Sequence, residues 1–159
     1  MKHLKRAVCA RQQQRGQRGS TAVEFALIFP LFFLIFYAIV TYSIIFAAKQ
    51  SLALAASEGA RAALKFQPNA TSAASALTLR ASAACATATG LVNWIATTTP
   101  CTATYAPCTF DASMQCVKVS LNYDYGSKPL VPVLPLIGLP TPTTLTANAM
   151  VQLNPENLF

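Results

Sequence analysis

Four cysteines, Cys85, Cys101, Cys108 and Cys116, stand in the second half of this 159-residue chain. In an oxidising compartment that even set makes two disulfides, and four cysteines allow three connectivities among which spacing does not choose. Cys9 stands apart in a basic leader, where it stays reduced or is discarded. A metal site finds little support: the only histidine is His3, and no close Cys-x-x-Cys pair sets up tetrahedral ligand spacing. The carboxylates are Glu24, Glu58, Asp111, Asp124 and Glu156, scattered along the chain with no nucleophile beside a base. These residues predict a protein that is not an enzyme, with no cofactor, no metal and no small-molecule substrate.

A second group of residues lies at the front of the chain. The stretch Arg18-Gly19-Ser20-Thr21-Ala22-Val23-Glu24-Phe25 joins a basic segment to a long apolar run. Glycine has no Cβ, so extended backbone at Gly19 permits another molecule to approach closely. Glu24 is the only charge between Arg18 and Lys49. A carboxylate inside a membrane helix costs about 2.5 to 3.5 kcal/mol at the bilayer centre and less near its edge, so keeping one implies a partner. Thr21-Ala22-Val23-Glu24 also fits a Thr-x-x-Glu capping box, in which both side chains satisfy exposed N–H groups at the start of a helix. Glu24 would then also favour the positive end of the helix dipole.

The elements that position these residues follow from charge and hydropathy. The net charge of +7 collects at the front, where Lys2, Lys5, Arg6, Arg11, Arg15 and Arg18 precede residue 20 with no acid among them. Such a segment before an apolar run holds the front end in the cytoplasm. It lacks the folded scaffold and interleaved aromatics of nucleic-acid readout, so no nucleic-acid partner is expected. From Ala22 the run AVEFALIFPLFFLIFYAIVTYSIIFAA exceeds the roughly 20 residues that span a hydrocarbon core. Pro30 within it lacks an N–H and predicts a kink or local loosening. Phe25, Phe29, Phe32 and Phe36 form a helical stripe suited to lipid or helix packing.

Strong helix formers continue the helix to about residue 66, where Pro68 ends it. Ala55, Gly59 and Ala63 recur every four residues, a small-residue stripe on which the protein's own domain can pack closely. Glu58 and Arg61 are spaced to pair. A second, Ala-rich helix is predicted over about 70–89, with Gly90 suited to its C-terminal cap. Residues 96–107 (ATTTPCTATYAP) read as a surface loop pinned by Cys101 and Cys108. Period-two alternation predicts strands over about 115–125 and 143–153. Between them KPLVPVLPLIGLPTP holds five prolines and cannot be a central strand. It is either a rigid connector or an exposed apolar patch, with Leu134, Leu136 and Ile137 as the contact residues. The expected fold is α+β and pilin-like: a leader over 1–19, a transmembrane helix over 20–48, and an extracytoplasmic domain over 49–159.

The leader ending in Gly19, the glutamate five residues on and the immediate apolar helix resemble type IV prepilin-like proteins. The wider pattern, including Pro30 and Ser57-Glu58-Gly59-Ala60-Arg61-Ala62-Ala63, is similar to TadE-like (TadE/TadF) minor pseudopilins of tight-adherence (Flp) pilus systems. The resemblance covers residues 15–66. It implies cleavage between Gly19 and Ser20 by a prepilin peptidase, and a role for Glu24 in neutralising the freed N-terminal ammonium during assembly. It implies a bacterial inner-membrane protein, N-terminus cytoplasmic and domain periplasmic or extracellular, that supports assembly or secretion of the pilus. Its partners would be other pilins, pseudopilins and assembly proteins. The domain with cysteines departs from the far shorter major Flp pilin. The competing reading is a single-pass or secreted binding protein with a disulfide-bonded ectodomain unrelated to pili.

Overall fold

The computed structural model describes residues 18–95, 99–132, 134 and 138–157, with side chains from Thr21 to Glu156 within those ranges. The basic leader before Arg18 lies outside them, as do Leu136 and Ile137. The chain divides into two compact units, Met1–Thr41 and Tyr42–Phe159.

In the first unit the described residues are all helical and belong to α1, Arg18–Ala62. Its large apolar side chains from Val23 to Val40 are exposed to the surroundings. Such a face is stable in lipid, where a helix satisfies its own backbone polar groups. α1 is long and apolar enough to cross a membrane.

In the second unit the rest of α1 packs with α2 (Ala73–Leu91) and a three-stranded antiparallel sheet. The strands are β1 (Cys101–Pro107), β2 (Gln115–Asp124) and β3 (Thr144–Leu153), in the order β1-β2-β3. This is the expected α+β layout. Val117, Val119, Leu121, Tyr123 and Tyr125 are buried on one face of the central strand, with Leu145, Ala147 and Leu153 from β3. Against them lie Leu52, Ala55, Ala56 and Ala60 of α1 with Ala63 just beyond its end, and Ala76, Leu77, Ala84 and Ala88 of α2.

Alanine dominates that helical surface because the helices approach closely. A Cβ added at Gly59 would stand 2.7 Å from the Ala84 carbonyl oxygen and 2.9 Å from the Ala88 Cβ. The small-residue stripe is thus a seam within the domain. α1 stops at Ala62, ahead of Pro68, and its last carbonyls are taken up by tightened turns: Leu64 N–H bonds Arg61 O at 3.1 Å and Lys65 N–H bonds Ala62 O at 3.2 Å. Glu58 and Arg61 pair at 2.8 Å on the surface, a contact worth about 0.3 to 0.5 kcal/mol.

Two local expectations are corrected. Gly90 is not a C-terminal cap: α2 runs through it to Leu91, and the capping residue is Val92, whose N–H bonds Thr89 O at 3.3 Å. Among the described residues no glycine has positive φ, so the left-handed geometry that favours glycine is not used. The segment read as a surface loop contains β1, paired with β2 from Cys101↔Leu121 to Pro107↔Gln115. Cys101 and Ala103 face the core while Thr102 and Thr104 face out. The alternation is present but the inward side chains are small, so partnership with β2 makes the strand.

Candidate functional site

Two regions carry the residues that the sequence singles out. The first is the front of α1. Arg18, Gly19 and Ser20 lie in its first turn. Thr21 therefore lies inside the helix and does not precede it, which removes the capping-box geometry from the intact chain. Glu24 is exposed one turn further on. Pro30 lies within the same helix. The aromatic stripe resolves into two ladders at i, i+4. Phe25–Phe29 (5.3 Å between centroids), Phe29–Phe33 (6.2 Å) and Phe33–Tyr37 (6.5 Å) form one, and Phe32–Phe36 (6.3 Å) the other. All five phenylalanines are exposed, a surface that suits lipid tails.

The second region is the disulfide-bonded domain. Cys85 of α2 pairs with Cys101, the first residue of β1. Cys108 pairs with Cys116 of β2 across the β1–β2 hairpin. Asp111 organises that hairpin loop by accepting from the Ser113 amide (2.9 Å) and hydroxyl (2.6 Å). Those two bonds hold its carboxyl below the usual carboxylate range.

Sequence reasoning passed over Arg80. It is 2% exposed, and its Nη1 donates to the Ala63 carbonyl at 2.9 Å. A guanidinium is thereby placed at the carboxyl end of α1, where unpaired carbonyls and the negative end of the dipole favour a cation. In sequence an arginine in an Ala-rich helix reads as a solvated residue, and only the fold reveals the carbonyl it meets.

The proline-rich connector between β2 and β3 is clamped where it starts. Asp124 accepts from the Ser127 amide (3.2 Å) and hydroxyl (2.5 Å), and the Gly126 N–H bonds Thr143 O at 2.8 Å, closing the base of the loop. The Ser127 bonds come first in lowering the Asp124 pKa, with smaller help from Gly126 and Lys128. The Tyr123 hydroxyl donates to Lys128 O at 2.5 Å. Burial, then the Asp124 charge, pushes its pKa up and keeps the proton on. Leu130 and Val131 reach the core. Further along, the Tyr42 hydroxyl of α1 donates to Pro140 O at 2.6 Å. The connector is thus pinned to the protein at both ends, and its middle includes the undescribed residues 133 and 135–137.

Among the described residues no group of three His, Cys, Asp or Glu side chains could hold a metal ion. No curated protein and no solved structure matches the chain. A family model does match, described as TadE-like protein, over residues 19–61. The match opens on Gly19, takes in Glu24 and Pro30, and closes on Arg61, so the likeness to TadE-like proteins covers the front of the chain and the whole of the candidate membrane helix up to that residue.

Proposed function

We propose that this chain is a minor pseudopilin of a tight-adherence pilus system, cut between Gly19 and Ser20 by a prepilin peptidase. The observation that carries the reading is the TadE-like match beginning at Gly19, a family associated with the Tad pilus, together with a following helix able to cross a membrane. Cleavage would make Ser20 the new N-terminus and Glu24 the fifth residue. The Glu24 carboxylate then has the freed ammonium of its own chain or a neighbour's as a partner, which offsets the cost of a charge in the apolar end of the helix. Residues 20–48 span the inner membrane with the front end cytoplasmic, following the basic leader. Residues 49–159 form the extracytoplasmic domain, where an oxidising compartment sustains the two disulfides. Pro30 supplies a loosened turn for the passage of the helix from lipid into an assembly of other pilins and assembly proteins. The protein acts by assembly and not by catalysis.

The test is N-terminal mass spectrometry of the mature protein from its native membrane, with Gly19→Arg alongside. A terminus at Ser20 that disappears in the variant is the expected result. A terminus at Met1, or one beyond Ala47, sinks the pilus reading and leaves an uncleaved membrane helix or a signal peptide.

A further inference from the structure

We infer that the β2–β3 connector is a membrane foot: its stretch around Leu139 and Pro140 rests in the interfacial layer of the bilayer that α1 enters. This rests on the membrane-helix reading of α1 above and adds a second, irregular contact with lipid.

The depth argument starts from Tyr42. The apolar run extends from Ala22 to Ala48; counted from Ala22, the roughly 20 residues that cross a hydrocarbon core end at Thr41, and the rest of the run lies in the interfacial layer. Tyr42 therefore falls where the helix leaves the core, the level at which tyrosine is enriched in membrane proteins. Its hydroxyl bonds Pro140 O at 2.6 Å, which brings the connector to that level. Helical side chains lean toward the N-terminus of their helix, so the hydroxyl and the carbonyl bonded to it lie no farther from the bilayer than the Tyr42 backbone.

The chemistry of the connector fits that position. From Pro129 to Pro142 it has no charged residue, and Thr141 is its only polar side chain. Irregular backbone is expensive near lipid because its N–H groups find no acceptor. Among the described residues of the connector, Pro129, Pro132, Pro140 and Pro142 have no N–H to satisfy. The Pro140 carbonyl, an acceptor that would otherwise need water, is bonded by Tyr42. Leu139 is half-buried and Pro140 exposed, so the segment shows apolar surface without being absorbed into the domain core.

The protein offers its own probe, because Trp94 is the only tryptophan. In a Trp94→Phe background of the full chain, tryptophan is placed at Leu139→Trp, at Thr141→Trp as a second reporter, and at Phe36→Trp in the apolar run of α1. Each is reconstituted in phosphatidylcholine vesicles with and without lipid brominated at a shallow acyl position. The expected result is loss of emission at residues 36 and 139 or 141 in brominated vesicles, with the connector reporters shielded from aqueous iodide. Loss at residue 36 alone, with iodide reaching the connector, overturns the foot and leaves the membrane helix intact. Loss at residue 36 alone, with the connector shielded from iodide, also overturns it and assigns the connector to protein contact. Loss at none of the three means α1 is not inserted, and both readings fail. Either connector reporter suffices if the other variant does not form both disulfides.

Discussion

Gly59→Ala sets two effects of opposite sign against each other at one position. Alanine is about 1 kcal/mol better than glycine inside a helix, and Gly59 lies within α1. On propensity alone the substitution stabilises. The new methyl, however, would meet the Ala84 carbonyl oxygen at 2.7 Å and the Ala88 Cβ at 2.9 Å, where carbon contacts settle near 3.5 to 4.0 Å. Backbone cannot rotate away as a side-chain tip can, so α1 and α2 must part locally. Overpacking of this kind costs about 1 to 3 kcal/mol, which exceeds the propensity gain and leaves a net loss of about 1 kcal/mol or more. Gly90→Ala supplies the control: it is also helical, yet a Cβ there meets nothing within 4 Å. It should gain about 0.4 to 1 kcal/mol. For a domain of this size each kcal/mol moves the thermal midpoint by about 3 to 5 °C. Full-length protein in detergent, followed by near-UV circular dichroism, should therefore show Gly59→Ala melting below wild type and Gly90→Ala above it. Equal upward shifts in the two variants would refute the close α1–α2 approach.

Arg80→Ala should destabilise the domain by about 2 to 4 kcal/mol in a urea titration, since it leaves the Ala63 carbonyl unbonded and opens a cavity. Arg80→Met, which fills the volume and buries no charge, should cost less. Loss of the Cys85–Cys101 bond (separation 16) should cost about 3 kcal/mol and loss of Cys108–Cys116 (separation 8) about 2.5 kcal/mol, on the chain-entropy account. Paired Cys→Ala variants read by denaturant midpoint test that order. The Asp124 clamp has a lowered folded-state pKa, so its stabilisation is complete above the ordinary carboxylate value of 3.8 and is lost as pH falls through the folded value. Protection of the Gly126 and Ser127 amides, taken against the intrinsic exchange rate at each pH, should fall over that acid range in wild type, and be low already at neutral pH in Asp124→Ala.

How far the sequence discloses the fold depends on the size of the side chains that face inward. β2 is legible because Val117 to Tyr125 alternate large apolar with polar residues, and β3 because Leu145, Val151 and Leu153 stand on the same face as Ala147 and Ala149, with only the exposed Met150 breaking the alternation; a one-residue slip would invert both faces. α1 is legible from its unbroken apolar run, and the Ala55–Gly59–Ala63 stripe from helical spacing. β1 is not, because Cys101 and Ala103 bury little, and its place depends on hydrogen bonding to β2, a contact distant in sequence. Arg80 and the Tyr42–Pro140 bond are hidden for the same reason: each is defined by a carbonyl brought close only by the fold. Gly90 misleads because glycine after a helical pattern usually marks an end, whereas here α2 closes one residue later on an ordinary turn at Val92.

β1 is the strand with the weakest hold through its own side chains, and it is the one fastened covalently at both ends. Cys101 opens it and is tied to α2, and Cys108 follows Pro107 directly and is tied to β2. An edge strand with small inward residues is the piece of a sheet most readily traded between neighbouring copies. Without the bridges, neighbouring copies of the chain would be free to exchange that arm. The two sulfur bridges make β1 the property of a single chain, so each copy remains a separate unit however closely its neighbours stand.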